Sequence, residues 1–158
     1  MTLLFWLSAL LVIYIYVGYP LLLRVLPKKP LMIDSENASQ PAVTVLIPAF
    51  NEAKVIAETI QNKLTQNYPA ELLQVIVISD ESEDGTDDLD NSISASDSRV
   101  SLIRQSPRQG KTSGLNLAMP HATGEIVIFS DANSHYAPDA IANLVACFSD
   151  PQVGYVTG

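Results

Sequence analysis

The chain has 158 residues, 47% of them hydrophobic and 16% charged, with a formal net charge of -8. That length suits one packed domain. The acidic balance argues against a nucleic-acid binder, which needs a basic face, so no nucleic acid is expected as a partner. Cys147 is the only cysteine, which excludes an internal disulfide; it falls in a predicted helix and reads as core rather than as a nucleophile.

The apolar residues are unevenly spread. Between Thr2 and Leu23 no side chain is charged, a run of about 22 residues or ~33 Å of helix, enough to cross a bilayer. Trp6 lies near one end of it and Tyr14, Tyr16 and Tyr19 toward the other, as interfacial anchors do. Arg24, Lys28 and Lys29 follow, and the positive-inside bias then puts the later residues on the cytoplasmic side of a cell membrane. There is no basic start and no small-residue cleavage site to mark a signal peptide. So long an apolar run is also unusual for a buried soluble helix. The expected order is a transmembrane helix over 2–26, a linker over 27–41 carrying Asp34, Ser35, Glu36, Asn37 and Ser39, and a folded domain over 42–158.

Within that domain strands and helices alternate. A β-branched strand is predicted over 43–47, then a helix over 51–65 with Ile56, Ile60 and Leu64 on one face. A second buried strand covers 74–79 and a weak polar helix 87–95. A strand over 100–103, a helix over 111–119 and a strand over 125–129 follow. Pro138 fits the first turn of a helix over 138–148, and a fifth strand is predicted over 153–156. Continuous apolar strands separated by helices imply a mostly parallel α/β sheet covered on both faces. Such sheets bind ligands outside the carboxyl ends of their strands. Here those ends are 48–52, 80–86, 105–111 and 130–134.

The first end reads Pro48-Ala49-Phe50-Asn51-Glu52, where Pro48 stops the strand and Asn51 is placed to cap the next helix. At the second, Asp80 stands at the tip of a buried strand, able to accept hydrogen bonds from a ligand. Ser82, Asp84, Gly85 and Thr86 are turn formers, Thr86 a candidate helix cap. The rest of that acidic run, through Asp90, reads as a solvated loop. At the third end Gly110-Lys111-Thr112 suggests a phosphate loop, but Gln105 stands where that motif needs its first glycine, and Pro107 interrupts the loop. What remains is Arg108 and Lys111 near a helix start, suited either to an anionic ligand or to a solvated basic turn. At the fourth, Asp131 and Asn133 are two apart just past a strand. Oxygen ligands so spaced can hold a hard divalent cation, Mg2+ or Mn2+, and leave positions for diphosphate and water. Asp-Ala-Asn is also ordinary turn chemistry.

In combination these segments closely resemble family 2 glycosyltransferases: Pro48-Ala-Phe-Asn-Glu52, then Ser79-Asp80-x-Ser82-x-Asp84-Gly-Thr86, Arg108-x-Gly-Lys111-x-x-Gly-Leu-Asn116 and Ala122-Thr-Gly-Glu-Ile-Val-Ile-Phe-Ser-Asp131-Ala-Asn133. The group includes cellulose, chitin and hyaluronan synthases. The resemblance implies a Rossmann-like GT-A fold that binds a nucleotide diphosphate-sugar, usually a UDP-sugar, and passes the sugar with inversion to a glycan or lipid acceptor. Carried over by position, Pro48, Ala49, Asn51 and Glu52 would line the nucleotide pocket. Asp80 would meet the uracil, Arg108 and Lys111 the nucleotide and phosphates, and Asp131 with Asn133 the divalent cation. Asn133 stands where that metal motif usually has its second Asp, and an uncharged ligand should bind more weakly. Ser79 likewise replaces the first acid of a frequent Asp-Asp pair. The family's later Thr/Glu-Asp element, which holds its general base, and its Gln-x-x-Arg-Trp motif do not occur here. The resemblance therefore implies the front part of such an enzyme, inactive alone. The competing expectation is a membrane-anchored module that binds sugar nucleotides or assembles with a synthase. A nucleotidyltransferase would want a glycine- and basic-rich loop after the first strand, and none is present.

Overall fold

A computed structural model describes residues 2–26 and 40–158, which fall into two units, 1–31 and 32–158. The linker expected over 27–41 lies almost wholly outside the described residues.

The first unit is helical over Thr2–Val25, 24 residues whose most apolar 18-residue stretch has a mean hydropathy of 1.9 and no buried residue. It consists of α1 (Thr2–Ile13), a π-helical turn (Tyr14–Gly18) and α2 (Tyr19–Val25). Pro20 has no amide hydrogen to continue the α-helical ladder, and just before it the Tyr19 N–H bonds to the Tyr14 carbonyl instead. The helix ends at Leu26, extended at φ -63° and ψ 137°. Pro27 follows in the sequence, and a residue before proline is pushed out of the helical region. By length and composition this helix can cross a membrane.

The second unit is a parallel sheet of four strands, β1 (Val43–Ala49), β2 (Leu73–Asp80), β3 (Val100–Gln105) and β4 (Ile126–Phe129), in the order β3-β2-β1-β4. Around it lie α3 (Ile56–Leu64), α4 (Thr86–Ser96), α5 (Lys111–Ala118) and α6 (Ala140–Ala146). The sheet buries both faces, and successive side chains of β1 and β2 serve different cores. Val43, Val45 and Ile47 join Val75 and Val77 under Ile56 and Ile60 of α3 and Ile141 and Val145 of α6. Leu46, Ile76 and Ile78 pack on the other side against Leu115 and Ala118 of α5. This two-sided burial is why these strands read as unbroken apolar runs. Registers of Ala49 with Ser79 and of Asp80 with Gln105 bring three strand ends level at one rim.

Boundaries differ in two helices. The helix expected from residue 51 starts at Ile56, and the one expected over 138–148 is α6 followed by a 3₁₀ turn, Cys147–Ser149. Cys147 is partly exposed there, its thiol donating to the Asn143 carbonyl, rather than core. The fifth strand over 153–156 does not form. The Asp150 carbonyl and carboxylate take the Val153 and Gln152 amides in a turn, and Tyr155 beyond it is exposed. This tail instead flanks β4 and α6 around an open cavity of about 880 Å³.

Candidate functional site

The loop after β1 is fastened to the loop after β2 by side chains of both. Asn51 has a left-handed backbone, φ 55°. Its N–H donates to the Ser82 hydroxyl at 3.1 Å, and its side-chain oxygen accepts the Glu83 N–H at 3.0 Å. The Glu52 N–H donates to the Thr86 hydroxyl at 2.9 Å and the Ala53 N–H to Asp84 at 3.0 Å. Asn51 therefore does not cap α3, whose cap position is held by Val55 without a side-chain bond. Nor does Thr86 cap α4: it is the first helical residue, and its N–H and hydroxyl donate to Asp84 at 3.1 and 2.6 Å. Those bonds, the hydroxyl's foremost, hold the Asp84 carboxyl below the usual carboxylate range. Pro48 is partly exposed, and Ala49, the last residue of β1, is buried at the strand end.

Asp80, only 6% exposed at the end of β2, organises the next loop. Its carboxylate accepts from the side-chain amide of Gln105, from the N–H groups of Gln109 at 3.0 Å and Gly110 at 3.0 Å, and from Arg108 Nε at 3.4 Å. Burial alone would push this carboxyl up. The four donors together outweigh burial and hold it below its ordinary value. Glu81 adds a second clasp, accepting the Ser106 hydroxyl and the Arg108 N–H. Gly110 sits at φ 87°, a backbone that L side chains rarely adopt, which turns its amide onto Asp80 just before α5 begins. The glycine before Lys111 thus serves a carboxylate of the chain itself.

Two cations stand on that loop. The Arg108 guanidinium lies 3.5 Å from the centroid of the Phe50 ring, a cation–π stack linking the first and third strand ends. Lys111 opens α5, and its ammonium is 2.5 Å from Asp131 Oδ1, both side chains being largely exposed. Residues 110 and 111 therefore touch Asp80 and Asp131 respectively, which puts the two carboxylates on one rim.

Beyond β4, residues 130–136 alternate: Ser130 and Ala132 are buried, Asp131, Asn133 and His135 exposed, Ser134 and Tyr136 half-buried. A turn closes where the Ser134 N–H and hydroxyl both donate to the Asp131 carbonyl. Behind it, α3 presents a polar stripe that sequence reasoning missed. Thr59 donates to the Ala132 carbonyl at 2.6 Å, and Asn62 exchanges two bonds with the backbone of Tyr136 at 3.0 and 2.8 Å. Fully buried Lys63 donates to the Ser134 carbonyl at 2.5 Å and lies 3.6 Å from the Tyr136 ring centroid. Polar residues at i, i+3 and i+4 facing a loop that lacks its own hydrogen-bond ladder are the signal that would have found them.

Among the described residues no three His, Cys, Asp or Glu side chains cluster. A cation at this rim would take one carboxylate and one amide oxygen, its other positions going to phosphate and water, a donor set that suits Mg2+ or Mn2+. None of the rim residues expected from the sequence lines the cavity beside β4.

A parallel sheet with both faces covered and a polar rim at its strand ends is a Rossmann-like α/β domain, and its likeness to solved glycosyltransferases makes it one of the GT-A type. Residues 44–158 match the family described as Glycosyl transferase family 2, and the chain belongs to that family. It is 33% identical over 128 residues to the probable glycosyltransferase YdaM of Bacillus subtilis, covering 78% of this chain and 30% of that one. It is 32% identical to the beta-monoglucosyldiacylglycerol synthase of Trichormus variabilis, over 76% of this chain and 26% of the synthase. The chain thus spans under a third of these relatives. Among solved structures, the mannosyltransferase PcManGT of Pyrobaculum calidifontis, in complex with GDP-Man and Mn2+, is similar with a TM-score of 0.79 and 35% identity, covering 92% of this chain and 44% of that one. Staphylococcus aureus TarS (residues 1–349) is similar with a TM-score of 0.62 over 68% of this chain and 32% of that one; at 22% identity that likeness shows the fold alone.

Proposed function

We infer that this rim binds a nucleotide diphosphate-sugar for transfer of the sugar, with inversion, to a glycan or lipid acceptor. The observation that carries the reading is the junction at Gly110 and Lys111, which joins a buried carboxylate to an exposed one beside two cations. Pro48, Asn51 and Glu52 border the nucleotide, and Asp80 holds the loop against which its base rests. Arg108 and Lys111 face its phosphates. Asp131 and Asn133 hold Mg2+ or Mn2+, which supplies Lewis-acid relief of charge on the departing diphosphate. Until a ligand arrives, the Lys111 ammonium is the counter-charge of Asp131; phosphate oxygens then compete for it. Removing the acceptor's proton needs a base, and we assign that role to no residue of this rim.

The base is expected to be uracil, and the GDP-Man bound by the 35% identical mannosyltransferase makes guanine the alternative to test. Helix Thr2–Val25 is proposed to anchor the protein in a cell membrane, with the sheet domain on the cytoplasmic side. A second reading, binding without turnover, is favoured by the neutral Asn133 beside a carboxylate already paired with lysine. Release of nucleoside diphosphate from UDP- and GDP-sugars by the full-length protein tests both. The Asp131→Ala variant is expected to lose about hundredfold in rate. Equal rates in the two proteins would remove Asp131 from the mechanism, and binding without any release would favour the second reading.

A further inference from the structure

Lys63 is fully buried, yet among the described residues no carboxylate lies within ion-pair distance of it. A buried ammonium is costly unless its donors are satisfied. Here they meet the Ser134 carbonyl, the Asn62 side-chain oxygen and the face of Tyr136. Burial lowers its pKa from 10.5 to about 8, so it remains mostly charged at neutral pH.

What the lysine holds is the important part. With Thr59 and Asn62 on the same helix face it takes the carbonyls of Ala132, Ser134 and Tyr136, alternate residues of a segment with no strand or helix of its own. Asp131 just before them and Asn133 and His135 between them are the exposed residues. A slip by one residue would turn Asp131 and Asn133 inward and Ala132 out, as it would in a strand. The helix therefore selects which side chains the loop presents.

We propose that Thr59, Asn62 and Lys63 are positioning residues: they fix the register of the Asp131–Asn133 loop and thereby its affinity for a divalent cation bound with a nucleoside diphosphate. The proposal rests on the cation site inferred above and adds to it the part of the chain that sets its geometry. Groups behind metal ligands typically change affinity 10–100-fold when removed.

The test is Mn2+ binding by the full chain in detergent with UDP or GDP present, followed by electron paramagnetic resonance of free and bound Mn2+, with a thermal melt of each variant. Lys63→Met is expected to weaken Mn2+ binding about tenfold. Thr59→Val, which keeps the shape and removes the hydroxyl, should weaken it severalfold, whereas Thr59→Ser, which keeps the hydroxyl, should stay near wild type. That split separates the hydrogen bond from packing. If Lys63→Met does not fold, the Thr59 pair decides alone. Wild-type affinity in the Lys63→Met and Thr59→Val proteins, with loss in Asp131→Ala, overturns the positioning role and leaves the cation site standing. Undiminished binding by Asp131→Ala overturns the cation site and this inference with it.

Discussion

Asp80 ends one strand of the parallel sheet and Asp131 lies two residues past the end of another, and their surroundings are opposite. Asp80 is buried and accepts from Gln105 at the end of β3 and from Arg108, Gln109 and Gly110 of the loop after it. Asp131 is exposed and meets one lysine, while the backbone just after it, at Ala132, Ser134 and Tyr136, is held from behind by α3. On the β2 side the carboxylate has spent its hydrogen-bonding capacity on shaping the loop that carries Arg108 and Lys111. On the β4 side the loop is held by Thr59, Asn62 and Lys63, and the exposed Asp131 carboxylate meets Lys111. One rim thus contains a carboxylate used for architecture and a carboxylate that we propose meets a ligand.

The largest break in that comparison comes from Asp80→Ala. It strands two amides, a glutamine and an arginine at once, which should cost roughly 2–5 kcal/mol, read as a lower midpoint in urea unfolding. The native carboxyl of Asp80 lies below its ordinary value, so its contribution is present above the unfolded pKa, near 4. It fades as pH falls through the native value, and the wild-type and variant midpoints should converge in acid. Equal midpoints at neutral pH would show that the loop does not depend on this carboxylate.

A third carboxylate sharpens the contrast by separating burial from bonding. Asp90 of α4 is fully buried, and among the described residues neither of its oxygens has a hydrogen-bond partner. Burial, with Asp87 nearby, raises its pKa to about 7. Here the sign is reversed: between roughly pH 4 and 7 the native state binds the proton that the unfolded chain has released, so stability falls as pH rises through that window. Asp90→Asn should remove that slope and raise stability at pH 8 by roughly 1–3 kcal/mol, because the neutral amide carries no charge to desolvate. A melting curve for the variant that keeps the wild-type pH dependence would sink this account of Asp90.

The sheet was readable because β1 and β2 are buried on both faces, and a strand so placed must be apolar throughout. The same reasoning located Asp80 and Asp131, since polar residues just past such strands stand at the ligand-binding edge. The partnerships were not readable. Asn51 looked like a cap because its bonds to Ser82 and Glu83 span 31 and 32 positions. The acidic run after Asp80 looked solvated, yet Asp90 is fully buried and, among the described residues, unsatisfied. Thr59, Asn62 and Lys63 are not among the apolar residues Ile56, Ile60 and Leu64 that marked this helix, and only the fold puts a loop of carbonyls against them. The tail at 153–156 has strand-forming residues, but the Asp150 turn leads it along β4 without pairing.

The claim that Asp131 is the carboxylate reserved for a ligand is tested most directly by calorimetry of UDP and GDP, with and without Mn2+, on the full chain and on Asp131→Ala. The account predicts nucleotide binding that strengthens with Mn2+ in the wild type. In the variant that gain should fall about tenfold or more, with a melting temperature little changed because an exposed ion pair contributes at most ~1 kcal/mol. Mn2+-dependent binding of equal strength in both proteins would contradict it.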